Sequence, residues 1–380
     1  IAAMQRGGSS ADVWVMTDAD IDPTTLLAPA LTVAAVAQRK RLVTSRAAEN
    51  LYWLGRYTER AENTIALARL TLECLGGEDQ AEPRLLDWLD RMARLHTLVL
   101  PDVPSLAQSR RVFERSLIAS LGSEAMACSV GFNLRAVRLA ASAVRERLSY
   151  EHWNLIERAQ DELVRASAPT DHPAEYGLLD ALDLLKTVGR HMAAITGAQT
   201  DRMTRDDGWR LLSIGRHVER LGFLAASMQA GLDAGSLGID AGFEAMVALF
   251  DSSISFHAQF QQSREMLALI DLLVLNRDNP RSLAWVAHTL RGRLAKLAGS
   301  EPNELSPMSL QVPDPAQWDL AQLGTSEPIT SDASGPRAEA SWPDLQHVLE
   351  HCMNAAHRVS DSISATYFTH SGAAEQSVGA

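Results

Sequence analysis

Cysteine is nearly absent from this chain of 380 residues: Cys74, Cys128 and Cys352 are its three, far apart and without C-x-x-C spacing. Such a set supports neither a disulfide framework nor a thiolate metal knuckle, so the thiols read as reduced, mostly buried small hydrophobes. Long apolar runs are missing too. A membrane-spanning helix needs roughly 18 consecutive apolar residues, and the best candidate, 267–275, is interrupted by Asp271, which excludes a membrane-embedded chain. There is no basic block either. Lys and Arg number 35 against 47 Asp and Glu, a formal charge of -12, and that balance repels nucleic-acid phosphates. The first residues lack the basic start, apolar run and cleavage site of a secretory signal, so the expected location is cytoplasmic. No G-x-x-x-x-G-K-[ST], G-x-G-x-x-G or G-x-S-x-G string occurs, and no cofactor is expected to be bound by this chain itself.

What is present is a globular composition, 46% hydrophobic, arranged with a helical period. Residues 1–24 stand apart: Gly7, Gly8, Ser9 and Ser10 read as a loop and Val13, Trp14, Val15 and Met16 as a β-prone run. Ile1 stands where a complete chain has Met, so 1–40 reads as the end of a preceding domain plus linker. A helical domain is expected over 41–370 and a frayed tail over 371–380. The first long helix, 46–75, carries an apolar seam at Ala47, Leu51, Leu54, Ala61, Ile65, Ala68 and Leu72 and stops at Gly76 and Gly77. Further helices are predicted over 83–99, 104–121, 123–148, 149–167, 173–200, 205–230, 241–260, 263–275, 280–298 and 343–370. Pro83, Pro104, Pro173 and Pro280 would sit in first helical turns, and Thr204 with Asp207 and Ser341 with Asp344 have capping-box spacing. Between 299 and 341 the period vanishes and six prolines appear, which predicts a long loop. The fold class is therefore all-α, a multi-helix bundle with a short β-prone N-terminal remnant.

One string occurs twice, Gly-Arg-x-x-Glu-Arg, at Gly55, Arg56, Glu59, Arg60 and at Gly215, Arg216, Glu219, Arg220. The flanking seams align at the same offset: Ile214, Val218, Leu221, Ala225 and Met228 replace Leu54, Thr58, Ala61, Ile65 and Ala68. This predicts an internal duplication. Glu49, Trp53, Arg56, Arg60 and Asn63 follow four-three spacing and form a second stripe opposite the seam. Glu59 is placed to pair with Arg56, and Glu219 with Arg216, within their own helices, while Gly55 and Gly215 admit a close neighbour.

The strings SRAAENLYWLGRYTERAEN at 45–63, DGWRLL at 207–212 ahead of the second motif, and NPRS at 279–282 resemble the bacterial alpha-E domain family. The resemblance runs from about Ser45 to His370. The opening QRGGSSADVWV at 5–15 resembles the C-terminal end of a circularly permuted ATP-grasp domain, often fused ahead of alpha-E. The resemblance implies an accessory helical domain of an ATP-grasp amide ligase, fused or in trans, with ATP and Mg acting in the ligase domain. It also implies association with transglutaminase-like proteases and proteasome-like particles. The chain departs from the family at SFHAQF, 255–260, where a basic, aromatic tract is usual, and this removes the ground for anion binding there.

Candidate binding residues are Glu49, Tyr52, Arg56, Glu59, Arg60, Arg216, Glu219 and Arg220, with Arg135, Arg138 and Arg281. Guanidinium forks grip carboxylates or phosphates, which fits an acidic peptide. The same arginines, with Glu49, Glu59, Glu62 and Glu219 at hand, also fit an interhelical ion-pair network and a scaffold that only binds proteins. Arg135, Arg138, Arg145 and Arg147 share a predicted helix and either line the same cavity or face solvent. Asn279, Pro280, Arg281 and Ser282 pre-set a helix entry. His347, Glu350 and His351 have the H-x-x-E-H form of inverted zinc peptidases, with no adequate third ligand downstream. His217 replaces Tyr57 between the copies and reads as a core residue or a general base.

Overall fold

The computed structural model describes Val13, Met16, Asp18 and the ranges 43–77, 82–127, 129–167, 177–301, 304–328 and 340–368. The chain divides after Leu42 into two units, and the second, Val43–Ala380, holds all of the described secondary structure. Trp14 and Val15 of the β-prone run, Cys128, Pro173 and the tail from Ser371 lie outside the described residues.

The longest helix, α1 (Ser45–Gly76), starts where the Thr44 hydroxyl accepts the Ala47 amide and ends at Gly77. Six members of its expected seam, Leu51, Leu54, Ala61, Ile65, Ala68 and Leu72, are buried, and Ala47 is half-buried. Each enclosed leucine contributes about 1.5–3 kcal/mol. The opposite stripe is no solvent face: Asn63 is buried and Glu49, Trp53, Arg56 and Arg60 are half-buried, because helices surround α1.

Its main partner is α7 (Asp207–Asp233). Between them in the chain come α2 (Pro83–Leu95), α3 (Arg110–Ser120), α4 (Val130–Ala143), α5 (Tyr150–Ala166) and α6 (Leu178–Asp201). After α7 follow α8 (Asp240–Leu249), α9 (Ser253–Phe260), α10 (Met266–Ile270, continued by a π turn over Asp271–Leu275), α11 (Leu283–Leu297), α12 (Leu320–Leu323) and α13 (Pro343–Tyr367). Helices α4 and α6 flank α1, and α11 and α13 flank α7. Two-residue strands β1 (Glu327–Pro328) and β2 (Ala340–Ser341) pair antiparallel.

Several sequence expectations change. The 104–121 pattern yields a helix only from Arg110, so Pro104 lies ahead of it rather than in its first turn. The pattern 123–148 contracts to α4, and Arg145 and Arg147 fall on a separate 3-10 turn. The pattern 241–260 is two helices, broken where Asp251 takes the left-handed φ of 47° that a helix does not accept. Asp206, not Thr204, caps α7 by accepting the Trp209 amide at 3.0 Å. Helix α13 starts at Pro343 after Trp342 without a side-chain cap, so Ser341 plays no capping part. Pro280 precedes α11 by a turn, and Ser282 is its cap. The described part of 299–341 is tied down: Ser309 Oγ donates to the Arg291 carbonyl at 3.0 Å, and Gln311 bonds Ser362 of α13.

Candidate functional site

The geometry of α1 against α7 begins with two glycines. A Cβ on Gly55 would overlap the Leu212 carbonyl, and one on Gly215 would overlap the Tyr52 carbonyl. Leu51 lies against Gly208, Gly55 against Leu212 and Glu59 against Arg216, partner numbers rising together, so α1 and α7 run parallel, backbone against backbone at the glycines. The close approach brings the two motif copies into reciprocal exchange. Glu59 of α1 accepts from Arg216 at 3.2 Å and Arg220 at 2.5 Å, and Glu219 of α7 accepts from Arg56 and Arg60, each at 2.8 Å. The expected pairs within each helix, Arg56 with Glu59 and Arg216 with Glu219, are not made. A carboxylate that reaches across satisfies two guanidinium groups and fastens two helices at once.

The exchange is unequal in depth. Glu59 is fully enclosed, whereas the Glu219 side chain keeps 12% of its surface. Burial alone would raise both carboxyl pKa values. The charges of Arg220, Arg216 and Arg281 outweigh it at Glu59, and those of Arg60 and Arg56 outweigh it at Glu219, so both are held below the usual carboxylate range. Arg281, at the entry to α11, adds a third cation at 3.5 Å from Glu59 and reaches Glu62 at 3.8 Å. Arg56 also donates to Ser360 of α13 at 2.8 Å, a partner the sequence did not announce. Every motif arginine is thus engaged by a carboxylate, and the stripes form a clamp across the bundle.

Beside the clamp a groove of about 580 Å³ opens between α1 and α4, lined by Glu49, Asn50, Trp53, Tyr57, Phe132, Arg135, Ala136, Leu139 and Ala140. Trp53 and Tyr57, one turn apart, stack at 5.5 Å, and Phe132 meets Tyr57 edge-on at 6.4 Å. Behind these rings lie the clamp cations, Arg56 at 5.4 Å from the Trp53 centroid and Arg60 at 5.7 Å from that of Tyr57. The aromatic wall therefore screens the buried charges from the groove while being polarised by them. Arg135 stands at the mouth, half-exposed and 3.9 Å from Glu124.

The remaining candidates lie elsewhere. Tyr52 is fully buried at the crossing with its hydroxyl unpartnered. Arg138 turns to Glu157 and Asp161 of α5, and Arg147 to Asp206, so neither joins the groove. Asn279 is buried and donates to the Leu272 carbonyl and Ser252, a structural helix entry. His217 is sealed against Trp285, the two rings stacked with centroids 5.5 Å apart. His347 and His351 are exposed with ring centroids 4.0 Å apart, and no group of three His, Cys, Asp or Glu suited to a metal occurs among the described residues. Phe132 and Leu139 were missed by sequence reasoning. Their spacing marks a helical face, but nothing in the sequence says which helix it meets.

No helix among the described residues is long and apolar enough to cross a membrane. The uncharacterized protein Rv2567 of Mycobacterium tuberculosis is 27% identical over 306 residues, 76% of this chain and 34% of its own. The uncharacterized protein Mb2597 of Mycobacterium bovis matches to the same extent. The chain thus spans about a third of the length of the curated relatives it matches. No solved structure matches it. The family model described as a predicted alpha-helical domain with a conserved ER motif matches residues 43–368, a span that includes Glu59-Arg60 and Glu219-Arg220, and the chain belongs to this alpha-E family.

Proposed function

We propose that this chain is the helical accessory domain of an ATP-grasp amide (peptide) ligase system and that the α1–α4 groove takes up an acidic peptide segment of the ligase substrate. The observation that carries the reading is the groove itself: a stacked aromatic wall beside a half-exposed arginine. Aromatic faces accept peptide backbone and apolar side chains, and a guanidinium at the mouth selects a carboxylate. The motif arginines serve this role indirectly, by fixing the helix that carries Trp53 and Tyr57. An accessory role accords with relatives of which the matched region is only 34%. ATP and Mg act in the ligase domain in this reading, and the transglutaminase-like protease and proteasome-like particle are further partners of the same cytoplasmic system.

The test is ATP turnover by an ATP-grasp polypeptide that carries this domain, with acidic peptides as acceptors. Ala136→Trp, which fills the groove, is expected to raise the peptide KM about tenfold, a loss of roughly 1.4 kcal/mol in binding, while basal ATP turnover stays unchanged. An unchanged KM would remove the groove from the reaction. A second reading, a protein-interaction scaffold, is favoured by the engagement of every motif arginine; there the groove-filled variant keeps its KM, and deletion of the domain impairs assembly instead.

A further inference from the structure

We propose that Arg205 and Arg293, which stack on the same indole of Trp209, form a binding site for a phosphate-class oxyanion, separate from the α1–α4 groove. The Arg205 guanidinium carbon lies 4.9 Å from the Trp209 ring centroid and that of Arg293 lies 4.4 Å from it. Trp209 is 4% exposed and is locked by its indole N–H, which donates to the Gln199 carbonyl at 2.8 Å. The ring is thus a fixed plate carrying two cations.

Neither cation has a carboxylate in ion-pair reach among the described residues. Arg205 donates to the Thr200 carbonyl at 3.3 Å, and the Arg293 Nε is buried without a hydrogen-bond partner. In a chain where 47 acidic residues face 35 basic ones, two adjacent arginines without an acid are against the trend. Nearby acids are already committed: Asp207 to Arg210 at 2.6 Å and Asp206 to Arg147 at 3.0 Å. Arg293 is pressed by burial first and then by the charges of Arg205 and Arg210, which lower its pKa. Stacking on the indole offsets part of that repulsion. A tetrahedral dianion that accepts N–H hydrogen bonds from both guanidinium groups would relieve the rest. Two singly charged carboxylates would be needed to match one such dianion.

The experiment uses the full chain and inorganic phosphate as the probe, against sodium chloride at matched ionic strength. Saturating phosphate is expected to raise the Tm by about 2 °C or more over chloride, as single-site linkage requires. Arg205→Gln, a substitution at an exposed residue, and Arg293→Gln are each expected to abolish that difference, and Arg293→Lys to weaken phosphate binding about tenfold by calorimetry. A shift no larger with phosphate than with chloride overturns the proposal. So does an equal shift in Arg205→Gln, which would move the anion to another cluster. If Arg293→Gln does not fold, the Arg205→Gln comparison decides alone. Filling the groove with Ala136→Trp leaves the phosphate effect intact, so this site and the proposed function fail independently.

Discussion

Glu59 and Arg220 meet 2.5 Å apart in the interior, and their counterparts in the other motif copy, Glu219 and Arg60, meet 2.8 Å apart nearer the surface. Each Glu-Arg dipeptide gives its acid to one helix partner and its base to the same partner, so neither copy is neutralised without the other. This reciprocity gives the motif its spacing: Arg at one turn before and one residue after the Glu places both forks on the facing carboxylate.

Removing one acid from the clamp should cost more at the enclosed site. Glu59→Gln leaves Arg216 and Arg220 buried against a neutral amide and is expected to destabilise the fold by about 3–5 kcal/mol. Glu219→Gln should cost less, because Arg56 and Arg60 retain 17% and 21% side-chain exposure and water reaches them. Arg138→Ala, which breaks half-exposed pairs with Glu157 and Asp161, should stay within about 1 kcal/mol. Urea denaturation of the three variants checks the order, and a Glu219→Gln loss exceeding that of Glu59→Gln would contradict it.

Glycine substitutions divide by position. Gly55→Ala and Gly215→Ala place a methyl on a facing carbonyl, force α1 and α7 apart and are expected to lower Tm by several degrees each. Gly197→Ala in α6 and Gly292→Ala in α11 meet nothing within 4 Å and replace a poor helix former, so each should stabilise by up to about 1 kcal/mol. Thermal melts of the four variants should show the two signs.

Stability should fall in two stages as pH drops. Nδ1 of His217 donates to the Ser213 carbonyl at 2.6 Å, since that oxygen only accepts, and leaves a buried, unpartnered Nε2. Burial, then the Arg220 charge, lowers its pKa to about 3, and burial lowers those of His96 and His152 to about 4. The unfolded chain takes up these protons near pH 6.5 and the folded chain does not, so acid favours unfolding from about pH 6.5 downward. Below about pH 4.5 the unfolded carboxyls protonate while Glu59 and Glu219 stay charged in the fold, and the clamp's contribution is lost next. Urea midpoints from pH 7.5 to 4 measure both stages; His217→Gln should flatten the first, and a midpoint constant between pH 7 and 5 would refute it.

The Cys352 thiol is fully buried, which pushes its pKa up to about 12, and the half-buried Cys74 is raised to about 11 by burial and then by Glu73. Thiolate is the reactive form, so iodoacetamide at pH 8 should leave Cys352 unmodified in the native protein and label it in urea. Peptide mapping by mass spectrometry reads the difference. Labelling of Cys352 in the native protein at the unfolded rate would show the α13 packing to be open.

Much of the architecture was legible in the chain. The α1 seam from Leu51 to Leu72 declared itself because apolar side chains at threes and fours have one physical use, to cover a neighbouring helix. Boundaries were less legible. Asp206 took the cap from Thr204, and Asp251 broke a helix, because both outcomes depend on backbone angles set by packing rather than by local preference. The groove was half legible: Glu49, Trp53 and Arg135 stood on marked helical faces, yet Phe132 and Leu139 entered only when α4 was laid against α1.

By itself the sequence determined the all-helical class, the paired Gly-Arg-x-x-Glu-Arg strings and the family, since periodicity and motif spacing are local properties of the chain. Whether those arginines are spent or available was decided by the tertiary structure alone. Glu59 lies more than 150 residues from Arg216 and Arg220 along the chain, and only the close approach at Gly55 and Gly215 brings the opposite charges together. Arg205 and Arg293, unmarked by any string, meet over Trp209 only in the fold, with no carboxylate in ion-pair reach among the described residues.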